Sequence, residues 1–188
     1  MNPNYLLALI LVIVLVPVIW SIGIYNSLIK LRNHCREAWS NIDTELKRRY
    51  DLIPNLVAIV KGYTNHEHQT LEAVIRARNI ALDSTGSPAA QAKDENLLVT
   101  TLRQLFAVVE NYPVLQADQH FLKLQAELVN TEDRIQAARR FYNGNVRDFN
   151  TRIEVVPSNL IAGAFDFQQE EFFEIESAGI RAVPAVHL

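Results

Sequence analysis

The sequence predicts an all-α protein: a single N-terminal transmembrane helix continuing into an antiparallel four-helix, coiled-coil-like bundle, followed by a non-helical aromatic C-terminal tail. Three observations carry this expectation. No charged side chain precedes Lys30. From Leu28 to Ile153 apolar residues recur at spacings of three and four. After Ile153 that period stops and phenylalanines accumulate. The division that follows is an anchor over 1–27, a helical bundle over 28–153 and a docking tail over 154–188.

The anchor is read from Leu6 to Tyr25, which is apolar apart from Ser21. Roughly 20 apolar residues at 1.5 Å each cross the ~30 Å hydrocarbon core. Leu6, Leu9, Ile13, Val16 and Pro17 are its membrane-spanning residues, with Trp20 and Tyr25 at an interfacial aromatic belt. Pro17 is tolerated because lipid leaves the backbone no alternative to a helix. A cleaved signal peptide would need a basic start and a shorter apolar core. Met1 to Tyr5 carries neither lysine nor arginine, and although Ser21-Ile22-Gly23 is formally a small-x-small site, the apolar run is long for such a core. Lys30, Arg32 and Arg36, then Lys47, Arg48 and Arg49, all follow the anchor, which favours an outside N-terminus and a cytoplasmic soluble domain over an exported one, although Glu37, Asp43 and Glu45 interleave with these basic residues.

About 160 residues remain, enough for one domain with its own core. The single cysteine, Cys35, excludes an intrachain disulfide framework. A net charge of −3 argues against a nucleic-acid partner, which usually needs a strongly basic face.

Leu28, Leu31, Cys35, Trp39, Ile42, Leu46, Tyr50, Ile53, Val57 and Val60 form one amphipathic stripe. The first helix therefore runs on from the anchor, as a rod from about Tyr5 to Tyr63, roughly 90 Å long. Pro54 inside it predicts a kink or one-turn irregularity. A second helix from about Glu67 to Leu82 carries Leu71, Val74, Ile75, Arg78 and Leu82, and ends in a Ser/Thr/Gly/Pro loop at 83–88. The third runs from about Ala89 to Tyr112 with Leu97, Thr101, Leu105 and Val108 as its stripe, and Pro113 stops it. The fourth holds Phe121, Leu124, Leu128, Thr131, Ile135, Ala138, Tyr142, Phe149 and Ile153 in an alternating three-four pattern. Asn143-Gly144 is by itself a hairpin signal, but Tyr142 and Phe149 are seven apart, so the helix is expected to continue through it. In the tail, Leu160, Ile161, Phe165, Phe167, Phe172 and Phe173 are too apolar to be left in water, and are expected to dock on the bundle, a neighbouring subunit or the bilayer.

Catalytic patterns are missing. A di-iron bundle needs Glu-x-x-His pairs, and no glutamate here has a histidine three residues on. His66 and His68 are two apart, not the four that would share a helix face for zinc. Phosphate loops, dinucleotide fingerprints, nucleophile elbows and Cys-x-x-Cys are likewise lacking. Cys35 sits on the apolar stripe as a small core residue. The expectation is a non-enzyme with no metal, no cofactor and no catalytic residues.

Two charged runs remain, Lys47-Arg48-Arg49-Tyr50-Asp51 with Pro54 and Asn55, and Glu132-Asp133 with Arg139, Tyr142 and Asn143. They read as an inter-helix ion-pair network or, alternatively, as a docking face for a partner.

Four passages stand out: Ala38-Trp39-Ser40-Asn41-Ile42-Asp43 leading through Leu46 to Val57 and Val60-Lys61-Gly62-Tyr63; His66-Glu67 with Arg76-Ala77-Arg78; Thr131 to Ile135 with Ala138 to Asn143 and Val146 to Asn150; and Pro157 to Ala162 with Phe172-Phe173. Together they resemble the LemA family of bacterial proteins. The resemblance spans nearly the whole chain. It implies a membrane helix followed by a helical bundle, and little about activity, since the family has no agreed biochemical function and is not known for a catalytic site. The function expected is a non-enzymatic scaffold that self-associates as a homo-oligomer on the lipid bilayer of a bacterial inner membrane and organises or shapes it. The alternative is a monomeric tethered adaptor that presents the Arg48 to Asp51 region to a protein partner.

Overall fold

The computed structural model describes residues 3–64 and 66–176, with their side chains apart from those of Pro3 and Leu6 to Leu9. Helices are its only regular structure, with no strand among the described residues. In chain order they are α1 (Pro3–Tyr63), α2 (His68–Leu82), α3 (Pro88–Val109), α4 (Pro113–Gln116), α5 (Gln119–Glu154) and α6 (Ser158–Ala164).

α1 is a single helix of 61 residues that passes through both of its internal prolines. At Pro54, where a kink or one-turn irregularity was expected, the helix continues without a break. Proline has no N–H to give the carbonyl four residues earlier, which here belongs to Tyr50. Arg78 Nε of α2 donates to that carbonyl instead, at 3.1 Å. The vacancy in the helix ladder is thus filled from a neighbouring helix.

Pro88 occupies the first turn of α3, where a missing N–H costs nothing, and Ser87 Oγ accepts from Ala90 N–H at 3.5 Å. α3 ends at Val109, short of the expected Tyr112, and Pro113 does more than stop it: this proline opens the four-residue α4. The stripe read for α3 needs correcting as well. Leu97 is exposed and Val108 half-buried, whereas Glu95, Leu98, Leu102, Leu105 and Val109 face inward. On α2, Ala77 and Ala81 are buried and Leu82 is exposed.

Asp118 caps α5, accepting from Phe121 N–H at 2.9 Å and from the Tyr63 hydroxyl at 2.9 Å. These bonds to its charged form hold the carboxyl below its ordinary value. α5 continues through Asn143-Gly144. A hairpin there would need positive φ at both residues, and would sacrifice the buried face made by Tyr142, Val146 and Phe149.

The tail was expected to be non-helical, yet Ser158–Ala164 is a helix. At seven residues it is too short for its period to show against the loops around it. Two residues past its end, Asp166 has a φ of 52°, in the left-handed region that aspartate tolerates better than most residues.

The chain falls into two units: Met1–Ala38 with Gly144–Glu170, and Trp39–Asn143 with Glu171–Leu188. In the first, Ile24, Leu28, Cys35, Val146, Phe149, Ile153, Ala162 and Phe167 are buried. The Tyr25 ring lies 4.8 Å from Phe165 and 5.8 Å from Phe167, and the Arg32 guanidinium stands 5.1 Å over the Phe167 ring. From Ile10 to Trp20 of the same unit, every residue is exposed. α1 is the one helix among the described residues long and apolar enough to cross a membrane. In the second unit the core comprises Ile42, Leu46, Ile53, Leu56 and Val60 of α1, Leu71 and Val74 of α2, Leu98, Leu102 and Leu105 of α3, and Phe121, Leu128 and Ile135 of α5.

Candidate functional site

A guanidinium in the middle of an apolar stripe must find anions or stay in water. Arg49 is 0% exposed. Its Nη2 bonds Glu95 of α3 and its Nη1 donates to Glu132 Oε2 of α5 at 3.0 Å. The Tyr50 hydroxyl donates to the other oxygen of Glu95. Helices α1, α3 and α5 are therefore joined by one buried polar cluster, to which α2 adds the Arg78 bond to the Tyr50 carbonyl.

Charge in this cluster is unbalanced, with two carboxylates facing one guanidinium. Burial disfavours the cation, but Glu95 and then Glu132 outweigh it and hold Arg49 above its ordinary value. Burial pushes the Glu95 carboxyl up, opposed by Arg49 and Tyr50. The Tyr50 phenol is raised by burial and by the Glu95 charge.

A second set of polar side chains holds the extended chain after α6. Asn143 grips both backbone groups of Phe173: its Nδ2 donates to the carbonyl at 3.0 Å and its Oδ1 accepts from the N–H at 2.9 Å. Tyr142 donates to the Glu171 carbonyl at 2.8 Å, and Arg139 to that of Ile175. Asn96 of α3 donates to Glu174 O at 3.2 Å and accepts from Glu176 N–H at 2.7 Å. Within the first unit, Asn150 grips Glu170 in the same two-bond manner, at 2.9 Å each way. Asparagine amides thus supply the donor and acceptor that a neighbouring strand would offer. Phe173 is buried, edge-on to Trp39 at 5.1 Å, and Tyr142 packs on Trp39 at 5.2 Å.

The residues singled out from sequence separate accordingly. Arg49, Tyr50 and Glu132 enter the buried cluster; Arg139, Tyr142 and Asn143 hold the tail; Lys47, Arg48, Asp51, Pro54, Asn55 and Asp133 are exposed. Of the tail residues, Phe167 and Phe173 are buried, Ile161 is half-buried, and Leu160, Phe165 and Phe172 are exposed. Of the anchor residues, Ile13, Val16, Pro17 and Trp20 are exposed and Tyr25 is half-buried, while the side chains of Leu6 and Leu9 lie outside the described ones. Sequence reasoning missed Glu95, Asn96 and Asn150. Asparagine within a helix is a poor helix former, and that was the available signal for the last two.

Cys35 is buried, and burial first, then the Glu170 and Asp148 charges, push its thiol up to about 11. A protonated, enclosed thiol is a poor nucleophile. A maleimide added to the native protein at neutral pH is expected to leave Cys35 unmodified by intact mass, and to label it fully in denaturant. Stoichiometric native labelling would contradict this burial. Among the described residues no group of three or more His, Cys, Asp or Glu side chains is placed to hold a metal ion.

Comparison with known proteins finds a match to the model of the LemA family over residues 38–188. The chain is 29% identical over 157 residues to Protein LemA of Metamycoplasma hominis, covering 81% of this chain and 70% of that protein. It is 25% identical over 180 residues to Magnetosome protein MamQ 2 of Paramagnetospirillum magneticum, covering 82% of this chain and 66% of that protein. Magnetosome protein MamQ of Magnetospirillum gryphiswaldense is 24% identical over 180 residues, with the same coverage. The chain thus spans about two thirds of the length of the magnetosome proteins it matches.

Proposed function

The chain belongs to the LemA family, and from that premise we propose a single-pass, non-enzymatic scaffold of the bacterial inner membrane whose copies self-associate to organise or shape the bilayer. The soluble helices form an antiparallel four-helix bundle on the cytoplasmic side, with the N-terminus outside. The observation that carries the anchor is the run from Ile10 to Trp20, helical, apolar and exposed at every residue. Such a surface is costly in water and neutral in lipid. Lys30, Arg32 and Arg36 just beyond it support the cytoplasmic side.

The non-enzymatic reading is supported by how the reactive groups are spent. Arg49 and Glu95 neutralise one another out of solvent, and Cys35 is enclosed as a thiol. Self-association is supported by apolar side chains that the second unit leaves exposed: Ile80 and Leu82 on α2, Leu97 on α3 and Leu122 on α5. Light scattering of the detergent-solubilised full-length chain is expected to give a protein mass of several copies, constant over a range of concentrations. A monomer at every concentration would remove the scaffold reading.

One observation favours the tethered adaptor instead. A groove of 260 Å³ lies on the second unit between Arg48 and Leu52 of α1 and Glu127, Asn130, Thr131 and Arg134 of α5. Arg48 and Arg134, both exposed, each stand 3.7 Å from the half-buried Glu45, long contacts of little energetic weight. They are free to exchange Glu45 for an acidic group on a partner. Reversing both arginines to glutamate would then abolish partner capture while leaving the melting temperature in place.

A further inference from the structure

We propose that the turn after α5 together with α6 is a second membrane contact, a charge-free wedge lying in the same leaflet interface from which the anchor emerges. The inference rests on the anchor reading above and adds to it a site on a different part of the chain.

From Val155 to Phe165 there is no charged residue, while Glu154 and Asp166 bound the stretch on either side. Within it Ala162 faces inward, but the largest outward side chains are apolar. The polar Ser158 is buried, its hydroxyl donating to the Arg152 carbonyl at 2.6 Å, whereas Val156, Leu160 and Phe165 are 78%, 69% and 59% exposed. Val155 is exposed beside them. A water-facing turn carries its polar side chains outward, and an outward cluster of large apolar ones marks contact with another apolar phase.

Position identifies that phase. Phe165 lies 4.8 Å from the ring of Tyr25, the aromatic residue at the end of the apolar run. It also closes a 330 Å³ apolar recess lined by Pro17, Val18, Ser21, Ile22 and Tyr25 of α1. These belong to the last turns of the anchor, so the end of α6 stands at the depth where headgroups give way to acyl chains. The occupant is continuous with the surface that already covers Ile10 to Trp20, which is lipid. Lipid in the recess and under Leu160 and Val156 makes α6 an interfacial element that lies on the bilayer, in the manner of a monotopic helix. Two contacts then orient the protein, since a single spanning helix leaves rotation about its own axis free.

The test uses the full chain in a Cys35→Ala background, reconstituted into vesicles of phosphatidylcholine and phosphatidylglycerol. A polarity-sensitive fluorophore is attached at Leu160→Cys, with Val14→Cys as an anchor reporter and Glu127→Cys as a water-exposed one. The expected result is blue-shifted emission at position 160, lost when phospholipids bearing a nitroxide near the headgroup are included. Position 14 should respond to a nitroxide deeper in the chain and position 127 to neither. Water-like, unquenched emission at 160 with normal quenching at 14 would overturn the wedge and leave the anchor standing. Loss of quenching at both would overturn both readings. A blue shift at 160 that resists lipid quenching and fades on dilution of protein in lipid would assign the patch to a second copy of the chain, and overturn the wedge.

Discussion

Replacing Arg49 by methionine is expected to lower the unfolding free energy by about 3 to 5 kcal/mol, the cost of leaving buried charges without their partner. For a chain of this size that is a fall in melting temperature on the order of 10 °C. The substitution strands Glu95 and Glu132 together in the interior, and their remaining relief is to take up protons. A carboxyl whose folded pKa lies above its unfolded value contributes stability below the ordinary carboxylate range and loses it as pH rises through the folded value. Glu95 already stands above its ordinary value in the native protein because it is buried. The variant should therefore lose stability with rising pH more steeply than the parent. Melting curves followed by circular dichroism in detergent, from about pH 5 to about pH 8, read the difference. Replacing Arg49, Glu95 and Glu132 together by apolar residues should restore most of the loss, since an apolar trio needs no desolvated charge. A single Arg49→Met variant that melts with the parent at every pH would show that the cluster carries no such energy.

The second large effect belongs to the tail. Phe173→Ala is expected to cost about 3 to 5 kcal/mol, the range for deleting a fully buried aromatic ring. Part of it is the edge-to-face contact with Trp39, for which about 0.5 to 1.5 kcal/mol beyond area burial is usual. The adjacent Phe172 is exposed, and Phe172→Ala should stay within about 0.5 kcal/mol of the parent. Adjacent phenylalanines thus make an internal control in one pair of chemical denaturation curves. Equal effects at the two positions would mean that the docking of Phe173 contributes nothing of its own.

Much of the helical layout was legible because its signals are long. The α5 pattern ran over more than four heptads, and that length outweighed the local hairpin preference of Asn143-Gly144. The apolar N-terminal helix was legible because its run of apolar residues is long and uninterrupted. α6 was not, since seven residues hold too few turns for a period to emerge. The stripe of α3 was misread for a chemical reason: Asn96-Leu97-Leu98-Val99 offers more than one register, and the true one passes through Glu95. A charged residue on an apolar stripe looks like an error until its counter-ion is located, and Arg49 lies 46 positions earlier in the chain. Of the asparagines that hold the tail backbone, Asn143 stood in a charged run that drew notice, whereas Asn96 and Asn150 belonged to no candidate cluster. Pairings between distant residues are where a single sequence says least.

Pro54 gains another meaning from its partner. By withholding a donor, it leaves the Tyr50 carbonyl of α1 unclaimed at a fixed height, where Arg78 docks. No other proline lies between Trp39 and Tyr63, so that stretch of the ladder offers α2 no second such level. The proline therefore works as a notch in an otherwise uniform rail: sliding α2 by a turn would empty the notch and strand the guanidinium together. Vernier positioning of two helices is encoded here by the absence of one hydrogen atom.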